Sequence, residues 1–180
     1  MYKYILFDFD GTVFDTVEGI TKSVRYAINK RGMDAPLDSL RCFAGPPLVD
    51  MYMEHFGGTP EEADQFVRDF RERYQPIGLY ECRIFPGITE LLTELRAAGR
   101  VTAVATLKPQ HLASTLLERA DITSMFDAIC GSSTEGHEGT KREIITRVMD
   151  ILGARPEETV LIGDTKYVIH GAHECGIKAV

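Results

Sequence analysis

The sequence predicts an α/β protein: a doubly wound, Rossmann-like parallel sheet with an inserted all-helical cap domain. Three observations predict this class. An apolar strand-like run opens the chain, a long stretch without strand-like runs follows it, and strand-like and helical segments then alternate up to the last residue. Such alternation is typical of βαβ units in a parallel sheet. We therefore expect a core of residues 1–14 and 85–180 and a cap of residues 15–84.

The opening strand ends in two carboxylates, Asp8 and Asp10, on either side of Phe9. Alternation along an extended chain points both carboxylates to the same side, where like charges repel unless a cation or a shared proton relieves them. Gly11 and Thr12 then allow a sharp turn out of the sheet. Because open α/β sheets carry their chemistry at the carboxyl ends of strands, we expect a catalytic or metal site here.

The next part of the chain reads as helical throughout. In its first helix Ile20, Val24 and Ile28 are spaced four apart, and Thr59 is suited to cap its longest one. Helices are expected over residues 17–31, 37–43, 46–56 and 60–75. A helical insert of roughly seventy residues is far too long to be a mere connection between strands.

The second half of the sequence alternates between apolar strand-like runs and amphipathic segments. Strands are expected over residues 101–106, 128–131 and 159–163 and from residue 177 onward. Helices are expected over residues 89–98, 109–120, 141–152 and 167–174. In a parallel sheet the carboxyl ends of all these strands lie along one rim.

Composition excludes several classes of protein. A net charge of −7 disfavours nonspecific binding of nucleic acid, and no apolar run is long enough to span a membrane. The acids at positions 8 and 10 interrupt the N-terminal apolar run, so we expect no signal peptide. Four widely scattered cysteines indicate reduced thiols and a cytoplasmic protein. The oligomeric state is left open.

The predicted rim collects further polar groups. The strand at 101–105 is followed by Thr106, the strand at 160–162 by Asp164, and Lys141 opens a helix after the loop at 132–140. Carboxylate oxygens suit Mg²⁺, and a carboxylate can also attack phosphorus or move a proton to and from the leaving oxygen. A hydroxyl and an ammonium group can hold the charged phosphoryl oxygens. The set therefore points to phosphoryl transfer on a small phosphorylated substrate.

The motifs in their order resemble the haloacid dehalogenase superfamily, specifically its phosphoglycolate-phosphatase-like branch, over nearly the whole chain. The first motif is highly specific, and the others are informative through their order and spacing. They are DFDGTVFDT at 8–16, GPPL at 45–48, FPGI at 85–88, VATLKP at 104–109, TK at 140–141 and IGD at 162–164.

This resemblance implies a role for each residue of the rim. Asp8 would be the nucleophile and Asp10 the general acid/base. Asp8, the backbone carbonyl of Asp10 and Asp164 would bind Mg²⁺, while Thr106 and Lys141 would bind the substrate phosphate. The cap would close over the substrate and select it. The implied function is Mg²⁺-dependent hydrolysis of a small phosphomonoester, phosphoglycolate-like or nucleotide-like, through an aspartyl-phosphate.

Two departures from the branch are visible. Its members usually carry an acid four residues after the position of Asp164, where this chain has Val168. Because a valine offers no oxygen, the resemblance predicts weaker Mg²⁺ binding. Members also usually continue beyond the last strand, so we expect the sequence ending at Val180 to be incomplete.

Other functions remain open at this stage. A phosphoacceptor receiver domain also combines acids, a threonine, a lysine and Mg²⁺, but its acceptor lies on a middle strand and it lacks a long helical insert. A regulatory protein that binds a phosphorylated ligand without turnover is a second alternative, supported by Val168 and by the short C-terminus. A phosphomutase or pyrophosphatase would share these motifs, whereas a dehalogenase would not need Asp10.

Overall fold

The computed structural model of the chain describes residues 2–133 and 139–180, so part of the predicted loop at 132–140 lies outside the described residues. Five parallel strands form the main sheet of the described chain, in the order β5-β4-β1-β6-β7. They are β1 (Tyr4–Phe7), β4 (Val101–Pro109), β5 (Ala128–Ser132), β6 (Thr159–Ile162) and β7 (Lys178–Ala179). This sheet confirms the predicted α/β fold class.

The described helices follow the predicted alternation. They are α1 (Val17–Asn29), α2 (Leu48–Phe56), α3 (Pro60–Tyr74), α4 (Ile88–Ala97), α5 (Gln110–Arg119), α6 (Lys141–Leu152) and α7 (Lys166–Glu174). Short 3-10 helices lie at Leu37–Phe43, Gly78–Tyr80, Thr123–Met125 and Pro156–Glu158. In this described part of the chain, no helix has the length and apolar character needed to cross a lipid bilayer.

Strand β1 lies in the middle of the sheet, between β4 and β6, and is buried along its whole length. Phe7 stands opposite Val104 of β4 and Ile162 of β6. The chain passes from β1 to β4 and β5 on one side and then returns to β6 on the other. The strand order therefore reverses beside β1, and open α/β sheets bind their ligands at such a reversal.

The chain divides into two compact units, Met1–Phe14 with Ile84–Val180, and Asp15–Arg83. At the two passages between the units, β2 (Phe14–Asp15) and β3 (Arg83–Ile84) pair with each other, a two-stranded sheet that the sequence did not predict. Runs of two residues are too short to show a period, which explains why the pattern missed them.

Within the helical unit, α3 begins as its sequence predicts. The Thr59 hydroxyl accepts a hydrogen bond from the backbone N–H of Glu62, and the Glu62 carboxylate accepts one from the backbone N–H of Thr59. This reciprocal cap satisfies two N–H groups that the first turn of a helix leaves unpaired. Phe43 and Phe66, both almost fully buried, contribute to an aromatic core in this unit.

Candidate active site

The two acids after β1 lie in a tight turn that is buried. The Asp8 backbone N–H donates a hydrogen bond to the carbonyl of Ile162 in β6, so the sheet still holds this residue in place. The backbone carbonyl of Phe9 accepts hydrogen bonds from the backbone N–H groups of Val13 and Phe14 at 2.9 and 3.0 Å. Asp8 and Asp10 are both buried, at 6% and 8% exposure of the whole residue. The sheet and the turn therefore hold two carboxylates where water is largely excluded.

Phe9 anchors the turn between the two acids. Its ring is fully buried and stacks on Phe14 with a centroid distance of 4.9 Å. This buried, stacked pair of rings anchors the turn that carries both carboxylates. Because Phe9 lies in a bend and not in a strand, the common orientation that alternation gave Asp8 and Asp10 stays a prediction.

Gly11 brings the third acid to the same turn. Its φ of +81° is a conformation that glycine adopts without strain. A Cβ at this position would also lie 2.1 Å from Oδ2 of Asp164, so the carboxylate rests directly against the glycine backbone. A side chain at position 11 would therefore displace Asp164 from the acid turn.

The charges of the acid turn act on Asp164. Although its side chain reaches solvent, partial burial raises the pKa of this carboxyl above its ordinary value, and the negative charges of Asp8 and Asp10 raise it further. Lys141 opposes the shift. Among the described residues Asp164 forms no ion pair, so its charge remains without a direct counterion.

A bulge in β4 forms the opposite wall of the site. Ala105 pairs with Cys130 of β5 and the next pair is Pro109 with Ser132, so three β4 residues stand opposite Gly131 alone. Those residues are Thr106, Leu107 and Lys108. Bulges re-aim side chains and occur often beside active sites. A Cβ on Gly131 would lie 2.4 Å from the Lys108 carbonyl oxygen, so the bulge packs directly against this glycine.

The bulge directs a lysine into the acid turn. Thr106 is 1 % exposed, and its hydroxyl accepts a hydrogen bond from the backbone N–H of Lys108 at 3.1 Å. The Lys108 ammonium group donates to Oδ1 of Asp10 at 3.0 Å and lies 5.7 Å from the centre of the Phe9 ring. Both partners of the Lys108–Asp10 pair are buried.

A second lysine approaches the other acid. Nζ of Lys141 lies 2.8 Å from Oδ1 of Asp8, an ion pair whose side chains are 4 % and 9 % exposed. The geometry of this Lys141–Asp8 contact is not that of a hydrogen bond. Within the described structure the buried ammonium group therefore has no hydrogen-bond partner. A Cβ on Gly171 of α7 would lie 2.7 Å from Cγ of Lys141, so the lysine stem crosses the helix at that glycine.

The structure thus gathers the predicted residues around one turn. Lys141 contacts Asp8, Asp164 lies against Gly11, and Thr106 supports the bulge on the neighbouring strand. Sequence reasoning did not assign Lys108 a role, although its spacing of two from Thr106 repeats that of the two acids. Alternation along β4 does not predict its direction, because the bulge breaks the period of two at these residues.

Val168 has a different environment from the one the resemblance suggested. Its side chain is fully buried in the apolar core with residues such as Leu161 and Ala172. Its Cγ2 lies 2.6 Å from the position that a Cβ on Gly163 would take. Valine therefore fills space beneath the loop that carries Asp164, and the structure gives it a packing role.

The donors for a metal ion can be judged from these contacts. In the part of the chain that the structure describes, no three or more His, Cys, Asp or Glu side chains form a group arranged to hold a metal ion. Two of the three predicted acids instead contact lysines. Their chemistry fits a hard cation, however, because carboxylate oxygens are its preferred ligands and the charge crowding at Asp164 is what a cation relieves.

Residues 5–180 match the family described as haloacid dehalogenase-like hydrolase. A 5'-nucleotidase of Pseudomonas aeruginosa is 39% identical over 99% of this chain and 81% of its own length. The tyrosine-protein kinase PtkA of Mycobacterium tuberculosis is 34% identical, over 99% of this chain and 61% of its own length. A phosphoglycolate phosphatase of Aquifex aeolicus is 25% identical over 98% of this chain and 82% of its own length.

The same similarity is present in three dimensions. A crystal structure of a predicted phosphatase from Clostridium acetobutylicum superposes with a TM-score of 0.95 at 37% identity. The match covers 99% of this chain and 83% of that one.

Proposed function

Because the chain belongs to the haloacid dehalogenase-like hydrolases and is a phosphatase of that kind, we propose that it hydrolyses a small phosphomonoester with the aid of Mg²⁺, through an aspartyl-phosphate on Asp8. The observation that carries this proposal is the buried turn in which Asp8 and Asp10 each face their own lysine. Such a pair of adjacent carboxylates offers a nucleophile and a proton carrier at one phosphorus atom.

The proposed first step forms a bond between an Asp8 carboxylate oxygen and phosphorus and breaks the ester P–O bond. Asp10 gives its proton to the departing alkoxide. In the second step Asp10 takes a proton from water, whose oxygen attacks phosphorus, releasing phosphate and the Asp8 carboxylate. Both steps concentrate negative charge on the phosphoryl oxygens, and fixed positive groups stabilise it.

Lys141 is suited to that charge. Its ammonium group is buried, lies beside the proposed nucleophile and retains N–H groups without partners among the described residues. An incoming phosphate supplies the missing acceptors, and the Thr106 hydroxyl is proposed as a second contact. Leaving a buried ammonium group unsatisfied costs free energy, so phosphate binding recovers hydrogen bonds that the free protein lacks.

Mg²⁺ would be held by Asp8, the backbone carbonyl of Asp10 and Asp164. When bound, it supplies a positive charge that neutralises the phosphate and relieves the repulsion among the three acids. With Asp10 carrying the proton that the first step needs, the carboxylates of Asp8 and Asp164 balance the two ammonium groups, so the turn offers a phosphate dianion no net positive charge. A divalent cation would supply one.

The substrate is proposed to be phosphoglycolate-like or nucleotide-like, as the relatives' names suggest. The direct test measures phosphate release from phosphoglycolate, nucleoside 5'-monophosphates and pyrophosphate, with added Mg²⁺ and after chelation. We expect hydrolysis of at least one monoester that stops on chelation and returns with Mg²⁺. Hydrolysis unaffected by chelator contradicts the metal, and turnover of pyrophosphate alone contradicts monoester specificity.

A regulatory protein without turnover is less well supported than it was by sequence alone. Part of its support was the valine at position 168, and that side chain packs in the core. The four cysteines are present as thiols, and we propose a reducing, cytoplasmic location on that basis.

We also propose that the helical unit selects the substrate. Its two ends meet in the β2–β3 pair, so a short linker can replace residues 16–82 without stretching the chain. If this shortened protein keeps its sheet by circular dichroism, we expect it to lose discrimination among monoesters more than activity on a generic aryl phosphate. An equal loss on every substrate indicates a purely structural insert.

A further inference from the structure

The two lysines of the site do not contact their carboxylates in the same way. Lys141 lies close to Asp8 without hydrogen-bond geometry, whereas Lys108 donates a hydrogen bond to Oδ1 of Asp10 at 3.0 Å. A charge-assisted hydrogen bond fixes the direction of a carboxylate as well as its charge. The contact with Asp10 is therefore the more directional of the two.

Lys108 is itself held at both ends. Its backbone N–H bonds to the Thr106 hydroxyl, its carbonyl oxygen packs against Gly131, and its ammonium group lies over the Phe9 ring. Attraction to the ring face and exclusion of water both limit the positions open to the ammonium group. A buried lysine that is fixed in this way can transmit the position of the β4 bulge to the carboxylate it contacts.

We infer that Lys108 is a positioning residue: by holding Oδ1 of Asp10 it turns Oδ2 toward the oxygen that gains and loses a proton. This inference rests on the proposed function, in which Asp10 is the acid/base group. A proton carrier must lie within hydrogen-bond reach of the atom it serves, and an error of about 1 Å can cost about 100-fold in rate. Lys108 acts here through Asp10 and does not itself react.

The test is a double-mutant cycle of Lys108→Met and Asp10→Asn, with kcat and KM measured on an alkyl and an aryl phosphate. We expect Lys108→Met to lower kcat on the alkyl phosphate about 10- to 100-fold with little change in KM. The loss should be smaller on the aryl phosphate, whose leaving group needs less protonation. In the Asp10→Asn background, Lys108→Met should change kcat by less than about twofold, because the group it positions is already absent.

Several variants keep the result interpretable. Lys108→Arg retains a donor and should recover part of the activity, while Lys178→Met, at an exposed position of β7, should behave as wild type. If Lys108→Met does not fold, the double variant with Asp10→Asn removes both buried charges and can be measured in its place. Lys108→Arg then still shows whether the loss lies in kcat or in KM.

Three results overturn the inference. They are a normal kcat in folded Lys108→Met, a loss that multiplies with that of Asp10→Asn, and a rise in KM alone, which indicates direct phosphate binding. If the wild-type protein hydrolyses no phosphomonoester, the proposed function fails and the inference falls with it. If the wild type is active and Lys108→Met matches it, only the inference falls.

Discussion

One ion pair of the α/β unit and one of the helical unit lie in opposite settings, the first buried and the second exposed. In the α/β unit the Lys108–Asp10 side chains are 4 % and 10 % exposed, whereas those of Arg25 and Asp34 in the helical unit are 44 % and 60 % exposed. Exposed pairs are screened by water, while buried pairs lose hydration that their attraction barely repays. Burial of the Lys108–Asp10 charges therefore adds little stability, and we attribute it to the chemistry of the site.

The largest expected effect comes from the carboxylate that we propose as nucleophile. Asp8→Asn keeps the shape but removes the attacking oxygen charge, and kcat should fall on the order of 10⁴-fold or more. Asp121→Asn is the matched control, because Asp121 is exposed and asparagine tolerates its positive φ. Trapping the phosphorylated protein with a slow substrate checks the mechanism. A normal rate for Asp8→Asn excludes this nucleophile.

A new carboxylate in the apolar core sharpens the comparison. Val168→Asp buries a charge where valine now packs and should cost about 3–5 kcal/mol of unfolding free energy. Ile169→Asp, one residue further along α7 and half exposed, is the control and should be tolerated. Urea unfolding of both variants measures the difference.

The same variant tests the metal hypothesis that the sequence raised. If Val168→Asp is as stable as the control and lowers the Mg²⁺ concentration needed for activity, the valine limits metal binding and the packing role is wrong. The expectation that the wild-type enzyme needs a high Mg²⁺ concentration stays a prediction until that titration is made.

A smaller effect is expected from the glycine beneath the bulge. Gly131→Ala places a methyl group against the Lys108 carbonyl and must shift the bulge, at a cost of about 1–3 kcal/mol. The variant should keep part of its stability and lose activity. In the Lys108→Met background, glycine and alanine at position 131 should give the same kcat. An unchanged kcat in the single variant means that the bulge position does not matter for catalysis.

The smallest effect concerns an ion pair of intermediate burial in the helical unit. A hydrogen bond from Arg73 lowers the pKa of Glu81 below its ordinary 4.5; burial opposes this shift and Lys22 adds to it. Because the folded-state pKa is the lower one, the stabilisation is present above pH 4.5 and is lost as the pH falls through the folded-state value. Glu81→Gln should cost about 1–2 kcal/mol near pH 7, and the gap from wild type should narrow in acid.

The control for that pH profile is Asp34→Asn, which breaks the exposed Arg25–Asp34 pair. Its thermal midpoint should stay near that of wild type at every pH. A loss as large as that of Glu81→Gln contradicts the ranking of pairs by burial.

Local patterns in the sequence predicted most of the fold. The helix Lys141–Leu152 was predicted with its observed bounds, and in the structure Thr140 caps it and Gly153 ends it in the left-handed conformation. The carboxyl ends of β1 and β6 likewise followed from apolar runs that stop at an acid. These features depend on residues within a few positions of one another.

Features that depend on distant partners were not predicted. The bulge that aims Lys108 depends on a register shift against β5, and the burial of Lys141 depends on Gly171, thirty positions further along. From the sequence alone, a lysine in the first turn of a helix is expected to be exposed to solvent. Val168 was compared with an acid at the same position in relatives, whereas packing against Gly163 determines its environment.

Gly171 also has a consequence for engineering. Replacing glycine by alanine inside a helix is a common route to higher thermostability, since it gains about 1 kcal/mol in helix propensity. At this position the added methyl group would meet Cβ and Cγ of Lys141, so overpacking of about 1–3 kcal/mol outweighs the helix gain and displaces the ammonium group that faces Asp8. Directed evolution that selects for stability should therefore reject this substitution, as should selection for turnover.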